Sequence, residues 1–326
     1  LSIFVKVWDN KKSVPSFKIV TAVMKDIKNK LHKFGSLSEF HQIFGLQKPE
    51  HPLISFISIQ DMKMPEETLP EYMVLDFYKI AFKDTVGRAK YGQSHYEFGE
   101  GGMVFTAPGQ LFEKPKNSHS KGFLLLVHPD FFMSFPLAKK IKQYGFFSYS
   151  TDEALHLSEK EKGTIFSVFQ IIKEEQDSRI DNFSQDVLIS QIDLLLTYCE
   201  RFYKRQFITQ KALNKGLIEQ FEDMLDRYFK DERANQQGLP TVQYIADQLH
   251  LSASYLSDML RSLTGLNTQQ HIHHKLIEHA KDILSTTDLS VSEIAYQLGF
   301  EYPQSFSRLF KSKTSMSPAQ FRQSFN

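Results

Sequence analysis

Between residues 40 and 135 the apolar positions alternate or fall in short blocks. Residues 53–59 alternate and are rich in β-branched side chains, residues 72–82 are aromatic and apolar, and residues 122–127 form a short apolar run. Turn signals at residues 99–102 (Gly-Glu-Gly-Gly) and at Pro108-Gly109 punctuate them. Short strands at this spacing predict a small sandwich or barrel. From residue 158 the period becomes helical. Ser158 and Glu161 have capping-box spacing, in which each side chain satisfies the other residue's backbone N–H. Ile165, Val168, Phe169 and Ile172 then share one face, and a second segment carries Val187, Leu188, Ile192, Leu195 and Leu196, with Tyr198 and Phe202 beyond. These stripes must be buried either against the strands or against a second copy of the chain. Residues 205–214 read as a polar linker. Leu217, Ile218, Phe221, Leu225 and Phe229 stripe a further helix, followed by a charged, Gln/Asn-rich break at 231–238.

The last third of the chain repeats itself. Val242, Ile245, Ala246 and Leu249 recur as Val291, Ile294, Ala295 and Leu298, an offset of 49 residues. A break follows each copy, at His250–Ser252 and at Gly299–Glu301. A second apolar stripe comes next: Leu256, Met259, Leu260 and Leu263 in one copy, Phe306, Leu309 and Phe310 in the other. Val, Ile and Leu at i, i+3 and i+7 line one side of a short helix, and the alanine lets a second helix cross closely. A three- or four-residue turn sets the pair at a steep angle, which is a helix-turn-helix. Two units are therefore expected, at 241–265 and 290–315. Between them, Ile272, Leu276, Ala280, Ile283 and Leu284 stripe a connector of about 20 residues. Its length of about 30 Å approaches the roughly 34 Å pitch of duplex DNA. Such a connector places two second helices in successive major grooves.

Bulk charge does not announce this role. The chain has a net charge of +1, and residues 239–326 hold seven Lys/Arg against seven Asp/Glu. One cysteine, Cys199, excludes an intramolecular disulfide and suits a reducing cytosol. No apolar run reaches the roughly 20 residues of a membrane helix, so no membrane partner and a cytoplasmic location are expected. Residues 1–23 read as an extension ahead of Met24.

The segments Ile294-Ala-Tyr-Gln-Leu-Gly299-Phe300, Gln304-Ser-Phe306-Ser-Arg308-Leu-Phe310-Lys311 and Ser317-Pro318-Ala-Gln-Phe321-Arg322 agree in order and spacing with one family. The last 90 or so residues resemble the DNA-binding domain of AraC/XylS-type transcription regulators. That resemblance implies an α+β chain of two domains. Residues 24–150 would form a β-rich, cupin-like barrel sensing an effector, 151–207 a helical dimerisation segment, and 208–326 an all-α DNA-binding domain. It further implies a homodimer that contacts double-stranded DNA and the transcription machinery, most often as an activator, with no cofactor.

On the first recognition helix the outward residues are expected to be Ser254, Tyr255, Ser257, Asp258 and Arg261. The family reads bases from the positions of Ser254, Ser257 and Asp258. Asp258 stands where arginine is familiar; a carboxylate accepts from cytosine N4 but repels phosphate, and Arg261 lies three residues on to pair with it. On the second helix Gln304, Ser305, Ser307, Arg308 and Lys311 face outward. Gln suits adenine and Arg suits guanine through bidentate bonds, while Lys311 and Lys313 suit phosphates. Ser315 replaces the usual glycine at the helix end, which Gly265 keeps in the first unit.

His271, His273, His274 and His279 lack a metal-ligand pattern and read as a polar face that gains charge below about pH 6.5. His95, Glu97, His119 and His128 only partly resemble a cupin metal set. A cupin-type metalloenzyme with a helical interaction module is the alternative from another class. No nucleophile–base pair or phosphate-binding glycine loop supports catalysis. A small organic effector held by aromatic walls is expected, with no residue marking its position.

Overall fold

The computed structural model describes residues 30–63, 70–84, 89–91, 94–96, 101–113, 121–178, 183–231 and 233–324. The extension at 1–23 and parts of the Gly99–Gly102 turn lie outside these. The described residues fall into two compact units, divided between Gln206 and Phe207.

Unit 1 opens with β1 (Leu31–Phe34), α1 (Leu37–Ile43) and β2 (Ile54–Ser58). There follow β3 (Tyr72–Leu75), β4 (Tyr78–Lys83), β5 (Ala89–Tyr91), β6 (Ser94–Tyr96), β7 (Gly102–Thr106), β8 (Leu111–Glu113) and β9 (Gly122–Val127). After α2 (Leu137–Lys140) come β10 (Leu155–His156), α3 (Glu159–Gln176) and α4 (Ser184–Thr209). The strands form an antiparallel five-stranded sheet in the order β10-β7-β4-β9-β2, a three-stranded sheet β1-β3-β8 and a ribbon β5-β6. The region is β-rich, but its strands stand in separate sheets, with no closed barrel among the described residues. The two larger sheets share one core instead: Phe34, Met73 and Leu75 of the smaller sheet cluster with Ile57, Ala81, Leu124 and Leu126 of the larger, and α1 adds Leu37 and Phe40.

The other face of the five-stranded sheet is covered by helix. Phe169 of α3 lies 5.7 Å from Phe56 and 6.3 Å from Phe123, and Phe166 meets Phe82 edge-on at 4.7 Å. The expected capping box forms at Ser158 and Glu161. Glu161 also takes a bidentate pair from Arg205 at 3.0 and 2.7 Å, tying the start of α3 to α4. Ile165, Val168, Phe169 and Ile172 are buried, as are Leu188, Ile192, Leu195 and Leu196. The single chain thus covers these stripes itself. Residues 205–214 correct the linker expectation, since α4 runs to Thr209 and the next helix starts at Lys211. Two of their polar side chains are buried and serve backbone groups: Gln206 accepts from the His156 amide at 2.8 Å, and Asn214 donates to the Phe207 carbonyl at 2.8 Å.

Unit 2 is helical: α5 (Lys211–Lys230), α6 (Arg233–Gln237), α7 (Val242–Gln248), α8 (Ala253–Thr264), α9 (Thr268–Thr286), α10 (Val291–Gln297), α11 (Pro303–Thr314) and α12 (Pro318–Gln323). Side-chain oxygens of Thr241, Ser252, Asn267, Ser290 and Ser317 cap five of these starts. The two repeats fold alike. Each turn closes with the same bond, Leu251 N to Ala246 O and Phe300 N to Ala295 O, both 2.9 Å. Each passes through left-handed backbone at the matching residue, His250 (φ 57°) and Gly299 (φ 85°). Ser315 takes left-handed geometry too (φ 65°), as Gly265 does (φ 82°), so the second recognition helix ends as sharply as the first. Around α9, Leu276, Ala280, Ile283 and Leu284 pack with Ile294, Ala295, Leu298, Phe306 and Phe310 in one core.

A Cβ on Gly299 would meet the Ala234 carbonyl oxygen at 2.6 Å and Gly238 backbone at 2.8 Å. Gly299→Ala is therefore expected to destabilise unit 2 by at least about 2 kcal/mol. Ser315→Gly should stabilise it by about 1 kcal/mol, since only the left-handed penalty is removed. Denaturant unfolding followed by helical circular dichroism measures both, and a neutral Gly299→Ala would refute the close passage. In unit 1, burial and then the charge of Arg205 lower His156 from 6.5 to about 4. The unfolded chain takes up that proton first, so stability is full above pH 6.5 and declines as pH falls toward 4. Melting temperatures between pH 7 and 4.5 should fall less in His156→Gln than in the parent, relative to each protein's value at pH 7.

Candidate nucleic-acid interface

Helices α8 and α11 are amphipathic, and their buried sides fix which residues remain outside. In α8 Leu256, Met259 and Leu260 are buried, and in α11 Phe306 and Phe310; Leu263 and Leu309 are only partly so. On α11, Gln304, Ser305, Arg308 and Lys311 are exposed and Ser307 is half-buried. Gln304, Arg308 and Lys311 are spaced i, i+4 and i+7, so they share one face. Pro303 sits in the first turn, where its missing N–H costs nothing.

The first recognition helix is less open. Ser254 is half-buried, and Ser257 hydrogen-bonds the buried Thr268 hydroxyl at 3.0 Å, fastening α8 to the start of α9. Tyr255 corrects the outward reading. It is fully buried, with its ring edge-on to Phe207 at 5.1 Å. The α8 stripe is wider than its aliphatic residues alone indicated, because an aromatic ring covers the neighbouring helix. Asp258 and Arg261 form the i, i+3 pair at 3.0 Å that their spacing allowed. Exposed as it is, the pair contributes only tenths of a kcal/mol. It also holds the one cation of α8 beside a carboxylate.

The balanced charge of this region resolves by placement. Lys275 pairs with Asp226 and Glu278. Arg322 donates to the carbonyls of Leu284 and Leu289, at 3.2 and 2.6 Å, pinning α12 to the end of α9. Lys281 lies 5.8 Å from the Phe321 ring centroid. Among the described residues Arg308, Lys311 and Lys313 have no ion pair or hydrogen bond to their side chains, and α11 carries no acidic residue. The cations left over gather on one recognition helix.

The connector α9 has 19 residues, about 28 Å of helix. Its histidines form the partly exposed polar face that the sequence indicates, with His271, His273 and His279 half-buried. His271 meets Phe221 edge-on at 5.5 Å and the Thr264 hydroxyl at 2.8 Å, and His279 lies 6.0 Å from Phe229. Burial, ahead of any neighbouring charge, lowers the pKa of His271, His273 and His279. Their positive charge therefore arrives at a lower pH than their type indicates. His274 stays exposed, 3.8 Å from Glu278. In unit 1, His128 caps a turn through the Asp130 amide. Glu97, His119 and the side chain of His95 lie outside the described residues. No group of three His, Cys, Asp or Glu is placed to hold a metal among the described residues, and no described helix is long and apolar enough to cross a membrane.

A helix-turn-helix domain family matches residues 245–324. The uncharacterized HTH-type transcriptional regulator YijO of Escherichia coli strain K12 is 27% identical over 132 residues, 40% of this chain and 44% of that protein. Another, YfiF of Bacillus subtilis strain 168, is 27% identical over 144 residues, 44% of this chain and 42% of that one. The chain thus spans less than half the length of either relative. The solved C-terminal domain of the two-component response regulator yesN from Fusobacterium nucleatum is 31% identical, with a TM-score of 0.29, over 33% of this chain and 98% of that domain. Residues 245–324 of the chain thus form a helix-turn-helix domain similar to those of AraC/XylS-type transcription regulators.

Proposed function

We propose that the chain is a sequence-specific DNA-binding transcription regulator, whose unit 2 reads two successive major grooves with α8 and α11. One observation carries the reading: a helix-turn-helix repeated with matching turns across a connector about one DNA pitch long, its second recognition helix presenting unpaired Gln304, Arg308 and Lys311. Helix α11 supplies most of the phosphate attraction, and α8 reads through Ser254, with Asp258 held by Arg261. Unit 1 is proposed as the effector-sensing part, standing where the family keeps a cupin-like domain, and the chain as an activator. A homodimer is proposed through the outer sides of α3 and α4, where Ile171 and Leu194 are 43% and 42% exposed. Leu194→Glu should then shift the sedimentation velocity species from dimer to monomer; an unchanged species would exclude that face.

Footprinting on the DNA upstream of the protein's own coding region tests the main reading. The parent should protect two major-groove segments about one turn apart. Arg308→Ala and Gln304→Ala should each cost about 1–3 kcal/mol, or roughly 5- to 150-fold, at one segment. Lys311→Ala should weaken all sequences alike and flatten the salt dependence by about one ion. Asp258→Ala, which frees Arg261 and removes a charge that repels phosphate, should tighten binding a few-fold at low salt. Weak uniform binding untouched by these substitutions would show the repeat to be structural.

A further inference from the structure

Strand β4 lies in the middle of the five-stranded sheet and presents its two faces to different surroundings. Tyr78 and Phe82 point toward the helical side, with Tyr78 5.0 Å from Phe147 and Phe82 4.7 Å from Phe166. Lys79, Ala81 and Lys83 alternate to the opposite face, where Ala81 belongs to the core shared with the three-stranded sheet. A central strand facing a core is ordinarily apolar there. Instead two lysines stand four residues apart. The Lys79 ammonium sits 3.8 Å from the centroid of Phe112, on β8 of the other sheet. Thr106 and Leu126 flank Lys79 on the neighbouring strands, whereas Gly102 and Gly122 flank Lys83 and place no side chain beside it.

Among the described residues neither ammonium has a carboxylate partner or a hydrogen bond. Burial, then the neighbouring Lys83, lowers Lys79 to about 7, and burial lowers Lys83 as well. A lysine that carried its head freely into water would keep its ordinary value. Both side chains are nevertheless partly exposed, as are Phe112 and Val104, the residue opposite Ala81. The face is reachable from outside. Two desolvated cations without an anion, beside an aromatic ring and apolar neighbours, are an unfilled electrostatic demand.

We propose that unit 1 binds a small organic anion between its two sheets, with Lys79 and Lys83 holding its carboxylate and Phe112 and Val104 contacting its apolar body. The proposal deepens the effector-sensing reading and rests on it for the consequence of binding, though not for binding itself. Thr106 adds a hydroxyl within the same row of the sheet. The ligand class follows from the charges: an anion offsets the desolvation of the two lysines and favours their charged forms, which a neutral sugar does not do, and a metal cation would be repelled.

The full chain is titrated calorimetrically with hexanoate, with 8-anilinonaphthalene-1-sulfonate and with uncharged hexanamide. One saturable site for the two anions, mutual displacement between them and no heat from hexanamide are expected. Lys79→Met and Lys83→Met should each weaken binding at least tenfold. If Lys79→Met fails to fold by circular dichroism, Lys83→Met, which stands beside the two glycines, carries the test. No binding of either anion, equal binding of hexanamide, or folded methionine variants that bind like the parent would overturn the site. Footprinting on the same samples separates the two readings. Lost anion binding with DNA protection intact overturns this site alone, and anion binding that leaves DNA protection unchanged upholds the site and overturns its role as effector pocket.

Discussion

The close passage of two backbones at Gly299, where a Cβ would come within 2.6 Å of the Ala234 carbonyl oxygen, sets the geometry of the second helix-turn-helix. The turn must reverse direction within three or four residues while keeping Ala295 fully buried beneath the crossing helix. Left-handed backbone at one residue achieves this, because it lets the next amide reach back to the alanine carbonyl. His250 accepts the same conformation in the first unit, where its side chain is exposed. From these two turns follow the directions of α8 and α11, and so the faces they offer to a groove.

Electrostatics then distinguishes the two faces. An evenly balanced segment still makes a basic surface when the fold uses some cations internally and leaves others free. Lys275 is taken up by Asp226 and Glu278 and Arg322 by two carbonyls, while Arg308, Lys311 and Lys313 project from one helix. The α8 surface is muted by the Asp258–Arg261 pair and by the tether of Ser257 to Thr268. The two helix surfaces thus differ: α11 presents cations free of ion pairs, whereas α8 presents a cation paired with a carboxylate. Half-buried histidines on α9 keep this balance steady across neutral pH, since burial lowers their pKa values away from it.

Unit 1 shows the opposite arrangement, with charge held inside. Its five-stranded sheet is covered on one face by α3 and its aromatic contacts, and these follow the alternation of β4. The other face breaks the apolar rule at Lys79 and Lys83. Such local violations concentrate where a fold serves something other than its own stability. The Arg205–Glu161 pair, by contrast, has a structural explanation, since it joins the cap of one helix to the flank of the next.

The sequence alone determined what depends on local periodicity and capping. The tandem repeat, the connector stripe, the box at Ser158 and Glu161, and the outward face of α11 all follow from spacing along a single helix. Ser315 shows the edge of that reach, because its left-handed cap is set by the turn and not by the residue's preference. The tertiary structure alone decided what depends on which neighbour covers a surface. Tyr255 reads as outward by period and is buried because Phe207 meets it; Ser257 reads as free and is fastened to Thr268. Residues 205–214 read as a linker because they are polar, and are helical because Gln206 and Asn214 satisfy backbone groups. Which strand pairs with which was equally hidden, since pairing joins residues far apart in the chain. Period fixes the side of an element on which a residue stands, but only packing fixes what stands against it.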